Sequence, residues 1–317
     1  MIDQPGDLFD VMRDELIQRL APDDTAIERL APTIPKPETE DELAAFLWDT
    51  LRVKIPKTPV TPGHTCPWAA FCDAYFARSP VIVWVGARAV AGKSYTLAML
   101  AWVEALTLRA SVSILGGSGD QSKKVLSYLT SFWQRPTAPK FVLASDPSAS
   151  RIRLALTKPD NEPVEILALL ASQRAARGGH PERLRLDEVD EMDWDLYKAV
   201  SLQPMGRHGV PSHIVISSTH HKPNGTMTKV LAEARDKGWP IHRWGYEETL
   251  EPHGWLTQVE LVRKRSQVTA EAWRIEVEME EPSAEGRAIM TNLVEAMFVG
   301  PEVVVVEGDE YEIDAPV

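Results

Sequence analysis

The segment Val81-Ile-Val-Trp-Val-Gly-Ala-Arg-Ala-Val-Ala-Gly-Lys-Ser94 constrains the fold more than any other part of the chain. Its five apolar residues read as a strand buried on both faces, and the apolar periodicity from Lys93 to Arg109 reads as a helix. A strand, a loop of small residues and a helix N-terminus in that order make an anion cradle, because loop and helix N–H groups converge on one point. The Gly-Lys-Ser ending fits the phosphate-binding pattern G-x-x-x-x-G-K-S/T, except that its first glycine falls on Ala87 and a glycine stands one place earlier at Gly86. Gly86, Ala87, Arg88, Ala89, Val90, Ala91, Gly92, Lys93, Ser94 and Tyr95 are therefore the candidate nucleotide-binding residues. In that setting Lys93 reaches the β and γ oxygens and the Ser94 hydroxyl is a ligand for Mg²⁺.

The pattern around this segment predicts an α/β fold with a mostly parallel central sheet. Helices are expected at Trp68 to Ala77, Gln121 to Trp133, Trp194 to Leu202 and Thr226 to Lys237, and strands at Ser111 to Leu115, Ile152 to Leu156, Val164 to Leu170, Leu184 to Leu186 and His213 to Ser217. Before it, residues 1–63 read as a helical and extended piece, with apolar residues at Leu8, Val11, Met12, Leu16 and Leu20, a helix from Glu40 to Leu51, and prolines up to Pro62 marking a boundary. Residues 64–250 then form the nucleotide-binding domain. From residue 251 to 317 the chain turns into charged helices, Val259 to Arg265 and Ala270 to Glu280, and an acidic tail.

A phosphate cradle of this kind needs an acidic strand end to hold the metal and a carboxylate to orient water. Glu182-Arg-Leu-Arg-Leu-Asp187-Glu188 supplies both: Asp187 is the candidate metal ligand and Glu188 the candidate general base. Arg183 and Arg185 make this strand less apolar than its neighbours. The following Asp190, Glu191, Asp193 and Asp195 read as a solvated loop and helix start. A third strand ends in Ser217, Ser218 and Thr219, whose hydroxyls at a strand C-terminus would lie near the γ-phosphate and pass on its loss.

Composition limits the partners. With 34 Lys+Arg against 46 Asp+Glu the formal charge is -12, which argues against coating nucleic acid by bulk charge but leaves room for a local groove. The basic candidates for DNA contact, Lys123 and Lys124, and Arg263, Lys264 and Arg265, also read as solvated helix faces. Cys66 and Cys72 cannot make a disulfide framework, which favours a reducing compartment, and no apolar run reaches membrane-spanning length.

Taken in order and spacing, these motifs resemble the large terminase subunits of tailed bacteriophages, the ATPases that package double-stranded DNA. The resemblance rests on Gly86-Ala-Arg88 with Gly92-Lys93-Ser94 as Walker A, on Gln173 to Asp190 as an Arg-Gly loop running into Walker B, on Ile216 to Thr219 as the coupling motif, and on Glu281 to Phe298 as a linker. It implies an ASCE-type P-loop NTPase fold, ATP and Mg²⁺ as cofactors, and hydrolysis coupled to DNA translocation. It further implies a portal protein and a small terminase subunit as partners, a homo-oligomeric ring on the procapsid, and a location in the host cytoplasm outside the mature virion. Arg88, Arg174 and Arg177 compete for the charge-stabilising arginine, and a neighbouring subunit could supply it instead. The family's nuclease domain normally follows; no acidic triad follows Glu310 to Val317, so nuclease activity is not expected of this chain. Two other readings stand beside the motor: another DNA-dependent P-loop ATPase such as a helicase, and a nucleotide-gated assembly module without turnover.

Overall fold

The computed structural model describes residues 34–148, 150–172 and 179–282. The elements are α1 (Glu40–Leu51), α2 (Pro67–Tyr75), β1 (Val81–Gly86), α3 (Lys93–Thr107), β2 (Val112–Gly116), α4 (Gly119–Trp133), β3 (Arg151–Thr157), β4 (Pro163–Leu170), β5 (Arg183–Asp187), α5 (Trp194–Val200), β6 (His213–Ser218), α6 (Thr226–Lys237), β7 (Ile241–Trp244), α7 (Gln258–Arg265) and α8 (Ala270–Glu276). Seven strands form one sheet in the order β3-β4-β2-β5-β6-β1-β7. Only the β3–β4 pair is antiparallel. The α/β class and the expected strands are thus present, and β7 is an addition: its four residues, Ile-His-Arg-Trp, are too short and too polar to stand out as a strand.

Strand order decides where chemistry can occur. β6 lies between β1 and β5, so the end of the Gly-Lys-Ser strand and the end of the Asp187 strand flank the hydroxyl-bearing end of β6. Register aligns Asp187 with Ser217, and Ser217 with Trp84, across the three strands. All three are parallel and end on the same side, where loops of open α/β sheets gather ligand-binding groups.

Alternation along the strands splits the core into two layers. Ile82 and Trp84 of β1, Val112 and Ile114 of β2 and Val215 of β6 pack with α1 to α4 on one face. Val83 and Val85, Leu184 and Leu186, and Ile214 and Ile216 pack with α5 and α6 on the other. Leu43, Leu47, Leu51 and Ile55 before the Pro-rich crossing, and Leu256, Leu261, Trp273 and Val277 after residue 250, belong to the first layer. The crossing itself is pinned by the buried Glu248 carboxylate, which accepts from the N–H groups of Val60, Thr61 and Gly245 and pairs with His64. Burial alone would raise this carboxyl, but His64 and the three amides bring it down to about 2.

The two arginines of β5 point into the first layer, where an apolar strand would have placed leucines. Helix α3 meets them with Glu104, which is fully buried within an otherwise apolar stretch. The Arg183 Nε lies 3.2 Å from Glu104 Oε1, and Arg185 donates from Nε to Oε2 at 3.1 Å and forms a second, shorter bond to Oε1. Other guanidinium N–H groups donate to the carbonyls of Leu184, Pro211 and His213. Burial, with both arginines beside it, holds His213 neutral, well below the ordinary histidine value. This triad joins the helix that begins at Lys93 to the strand that ends at Asp187. Glu104→Ala leaves two buried guanidinium groups uncompensated and is expected to cost about 3–5 kcal/mol of unfolding free energy, measured by urea denaturation. A loss below about 1 kcal/mol would contradict that role for the triad.

Candidate functional site: a phosphate cradle at the ends of three strands

Helix α3 starts from Gly92, whose φ of 69° is left-handed, and no side chain caps its first turn. The first-turn N–H groups and the positive end of the helix are therefore available to an anion. Gly92 has a second reason to be glycine, since a Cβ there would stand 2.6 Å from the Trp255 ring. At Gly86 a Cβ would stand 2.9 Å from Lys93 Cδ and 3.3 Å from the Ala91 side chain. The departure of the first glycine from the usual spacing thus has a steric basis: the lysine stem folds back over residue 86 rather than 87.

Lys93 is buried, and its ammonium donates to the carbonyls of Gly86 at 2.8 Å and Ala87 at 3.2 Å and to the Thr219 hydroxyl at 2.9 Å. Thr219 in turn donates to the Gly86 carbonyl at 3.0 Å. Burial lowers the Lys93 pKa, while the charges of Glu188 and Asp187 pull it back up. The far side of the loop is braced from the C-terminal segment. Trp244 Nε1 donates to the Ala91 carbonyl at 2.9 Å, the Thr249 hydroxyl to the Val90 carbonyl at 3.0 Å, and the Arg88 N–H to the Glu276 carbonyl at 2.7 Å.

Asp187 is fully buried at the end of β5, and neither carboxylate oxygen has a hydrogen-bond partner of ordinary geometry. Burial first, and the neighbouring Glu188 charge second, push its pKa up to about 6, against the pull of the Ser94 hydroxyl, Lys93 and Lys124. A buried, unpartnered carboxylate beside a serine hydroxyl is a donor set suited to a hard divalent cation. The residues therefore fit Mg²⁺. Glu188 follows in a left-handed conformation, φ 52°, on a tight turn closed by the Glu191 N–H to the Glu188 carbonyl. That conformation is rare for a side-chain-bearing residue and turns Glu188 away from the strand direction.

The candidate coupling residues divide. Ser217 is buried with its hydroxyl unpartnered, beside Asp187 in register. The Ser218 hydroxyl accepts from the Asp190 N–H and donates to the Thr219 carbonyl, and Thr219 is the one that touches Lys93. The reading of Asp190 as a solvated loop residue is overturned: it is buried, and its carboxylate takes backbone N–H groups from His221, Lys222 and Met227. Glu191, Asp193 and Asp195 are exposed, as expected.

Of the candidate arginines the structure describes Arg88, whose charge is near enough to act on Lys93. Arg88 is exposed, and its guanidinium pairs with Glu276 at 2.8 Å. Arg174 and Arg177 lie outside the described residues, as do the N-terminal helix expected around Leu8 to Leu20 and the tail from residue 283. Lys124, read from sequence as a DNA-contact candidate, is near enough for its charge to act on both Asp187 and Lys93. Lys123 and Arg263 are exposed and paired along their own helices with Asp120 and Glu260.

Sequence reasoning missed the cleft beside the cradle. It has a volume of about 700 Å³ and is lined by Lys54, Gly92, Tyr95, Tyr128, Trp255 and Glu260, among others. Tyr95 meets Tyr128, Phe132 and Trp255 edge to face. Trp255 and Lys54 carry no local motif; only the close approach of Trp255 to Gly92 marks them.

No family model matches the chain, and no curated protein matches it in sequence. Among solved structures, the large terminase of bacteriophage HK97 is similar with a TM-score of 0.54 at 17% identity, over 75% of this chain and 54% of that one. A large terminase from a thermophilic bacteriophage gives 0.49 at 9% identity, over 65% and 51%. The ATPase domain of the Thermus phage P74-26 large terminase gives 0.44 at 14%, over 72% and 99%. This chain spans about half the length of the first two of these proteins. The HK97 likeness shows a shared fold: the described residues adopt the P-loop α/β architecture of a phage large terminase.

Proposed function

We propose that this chain is the ATP-hydrolysing motor of double-stranded DNA packaging, the ATPase portion of a terminase large subunit. The observation that carries the reading is the convergence of Lys93, Thr219, Asp187 and Glu188 at the ends of β1, β6 and β5, with the buried Lys93 bonded to Thr219 and both acidic residues acting on its charge. The order of the motifs and the fold shared with the HK97 protein favour packaging over other uses of the same chemistry.

In this reading the triphosphate lies along the loop from Gly86 to Ser94, and its base enters the aromatic cleft by Tyr95 and Trp255. Lys93 exchanges its carbonyl contacts for β and γ oxygens, which relieves a charge now held by neutral acceptors. Ser94 and Asp187 would hold Mg²⁺, which supplies charge neutralisation at the β and γ oxygens. Glu188 accepts the proton of the attacking water in line with the γ-phosphorus. Arg88 serves as a stabilising cation only on leaving Glu276, so its use is tied to movement of the 251–282 segment against the loop. Arg174, Arg177, a residue of a neighbouring subunit and Lys124 are the other candidate sources of positive charge. Thr219, bonded to Lys93, reports the loss of the γ-phosphate to the chain that follows β6. Double-stranded DNA, a portal protein and a small terminase subunit are the proposed partners, and the proposed assembly is a homo-oligomeric ring.

Turnover measured as phosphate release, with and without double-stranded DNA, tests the enzyme. Lys93→Ala and Glu188→Gln are each expected to lower it at least about 100-fold, with Glu188→Gln still binding ATP. Wild-type turnover no greater than that of Lys93→Ala in both conditions would remove the motor reading.

Asp187 gives an independent check without turnover. Its folded pKa lies above the 3.8 of an ordinary aspartate, so the folded state binds the extra proton, and stability from this group rises as pH falls from 7 towards 5. Asp187→Asn is expected to raise the stability of the nucleotide-free, metal-free protein at pH 7 by about 1–3 kcal/mol and to flatten that pH dependence. It should also abolish stabilisation by MgATP. A destabilised variant with unchanged pH dependence would contradict this account of the site.

A further inference from the structure

Just beyond the end of β5, one side chain bonds the acidic segment to the chain that follows β6. The Asp190 carboxylate accepts the N–H of His221 at 3.0 Å and of Lys222 at 2.9 Å on one oxygen, and the N–H of Met227, in the first turn of α6, at 3.0 Å on the other. Its own N–H donates to the Ser218 hydroxyl at 3.1 Å. Glu191 adds exposed pairs to His221 and Lys222, both at 2.8 Å. A Cβ at Gly225 would collide with the Asp190 carboxylate oxygen, so the loop closes around this group with no room to spare.

Asp190 is joined to Glu188 by a single turn, in which the Glu191 N–H bonds to the Glu188 carbonyl and the Met192 N–H to the Val189 carbonyl. A shift of Glu188 therefore cannot be absorbed within the turn without breaking these bonds. It moves Asp190, and Asp190 carries the loop from His221 to Gly225 and the start of α6 with it. A single contact would slip more easily; one carboxylate taking three backbone N–H groups, one of them in the first turn of a helix, does not.

We infer that Asp190 is the positioning residue through which the state of the nucleotide, sensed at Glu188, is passed to helix α6. This inference rests on the proposed nucleotide site and adds to it a mechanical route separate from the Lys93–Thr219 contact. Asp190 touches neither the phosphates nor water in this reading.

Hydrogen exchange on the full chain, with MgADP and then with the magnesium complex of a non-hydrolysable ATP analogue, separates the route from the site. In the wild type the change of nucleotide is expected to alter exchange both in peptides covering residues 86–94 and in peptides covering 219–227. Asp190→Asn places amide hydrogens against backbone donors, and Gly225→Ala displaces the carboxylate by a different means. Both are expected to keep the first difference and to reduce the second by at least about half, the remainder being what the separate Lys93–Thr219 contact transmits. A merely structural Asp190 would raise exchange at 219–227 in both nucleotide states and leave the difference between them intact, which would overturn the inference. So would a wild type that responds at 86–94 but not at 219–227. No wild-type response at 86–94 would instead remove the nucleotide site itself and the inference with it.

Discussion

The site depends on a buried carboxylate that the protein does not neutralise by itself. Asp187 ends β5 with both oxygens unpartnered and with Glu188 adding like charge, while the neighbouring cation, Lys93, spends its donors on two carbonyls and a threonine. Keeping such a group is unfavourable unless something of opposite charge is drawn to it. A divalent cation carrying phosphates meets that need, and the negative charge of those phosphates meets the needs of Lys93 and the α3 N-terminus. In the proposed function, binding and charge compensation are the same event.

The rest of the fold holds that geometry in place. Glu104 fastens α3 to β5 from the buried side through Arg183 and Arg185, so the lysine and the aspartate are fixed relative to each other some distance below the site. On the opposite side, Trp244, Thr249 and Glu276 hold the outer surface of the loop, and Trp255 closes over Gly92. The segment after residue 250 is thus part of the frame of the loop. Stability and the proposed function meet in these contacts: the charges that tie the frame together are paired, and the buried carboxylate left unpaired is where the proposed ligand would bind.

Much of this was legible in the sequence because it is local. Val81 to Ser94 and Leu184 to Glu188 each carry strand, turn and candidate site residue within a few positions, and short apolar runs such as Val81 to Val85 mark the parallel strands without reference to their partners. What was not legible depends on contacts between distant segments. Arg183 and Arg185 look like a weakness in β5 until Glu104, 81 residues before Arg185, is placed beside them. Asp190 looks like one more acid in an acidic run, because nothing local shows that three amides from beyond β6 converge on it. Trp255 and Lys54 line the cleft from opposite ends of the described chain and share no motif. The reason for glycine at 86 rather than 87 is the path of a lysine stem, which spacing alone does not encode.

In the proposed function the ends of β1, β6 and β5 bind a magnesium nucleoside triphosphate with its base beside Trp255. Titration of the full chain with a fluorescent ATP analogue, read by energy transfer from tryptophan, tests it most directly. Saturable binding is expected that requires magnesium, is displaced by ATP but not by AMP, and loses at least half of its transfer signal in Trp255→Phe. No saturable binding at millimolar analogue with magnesium present, or a signal that AMP displaces as well as ATP, would contradict it.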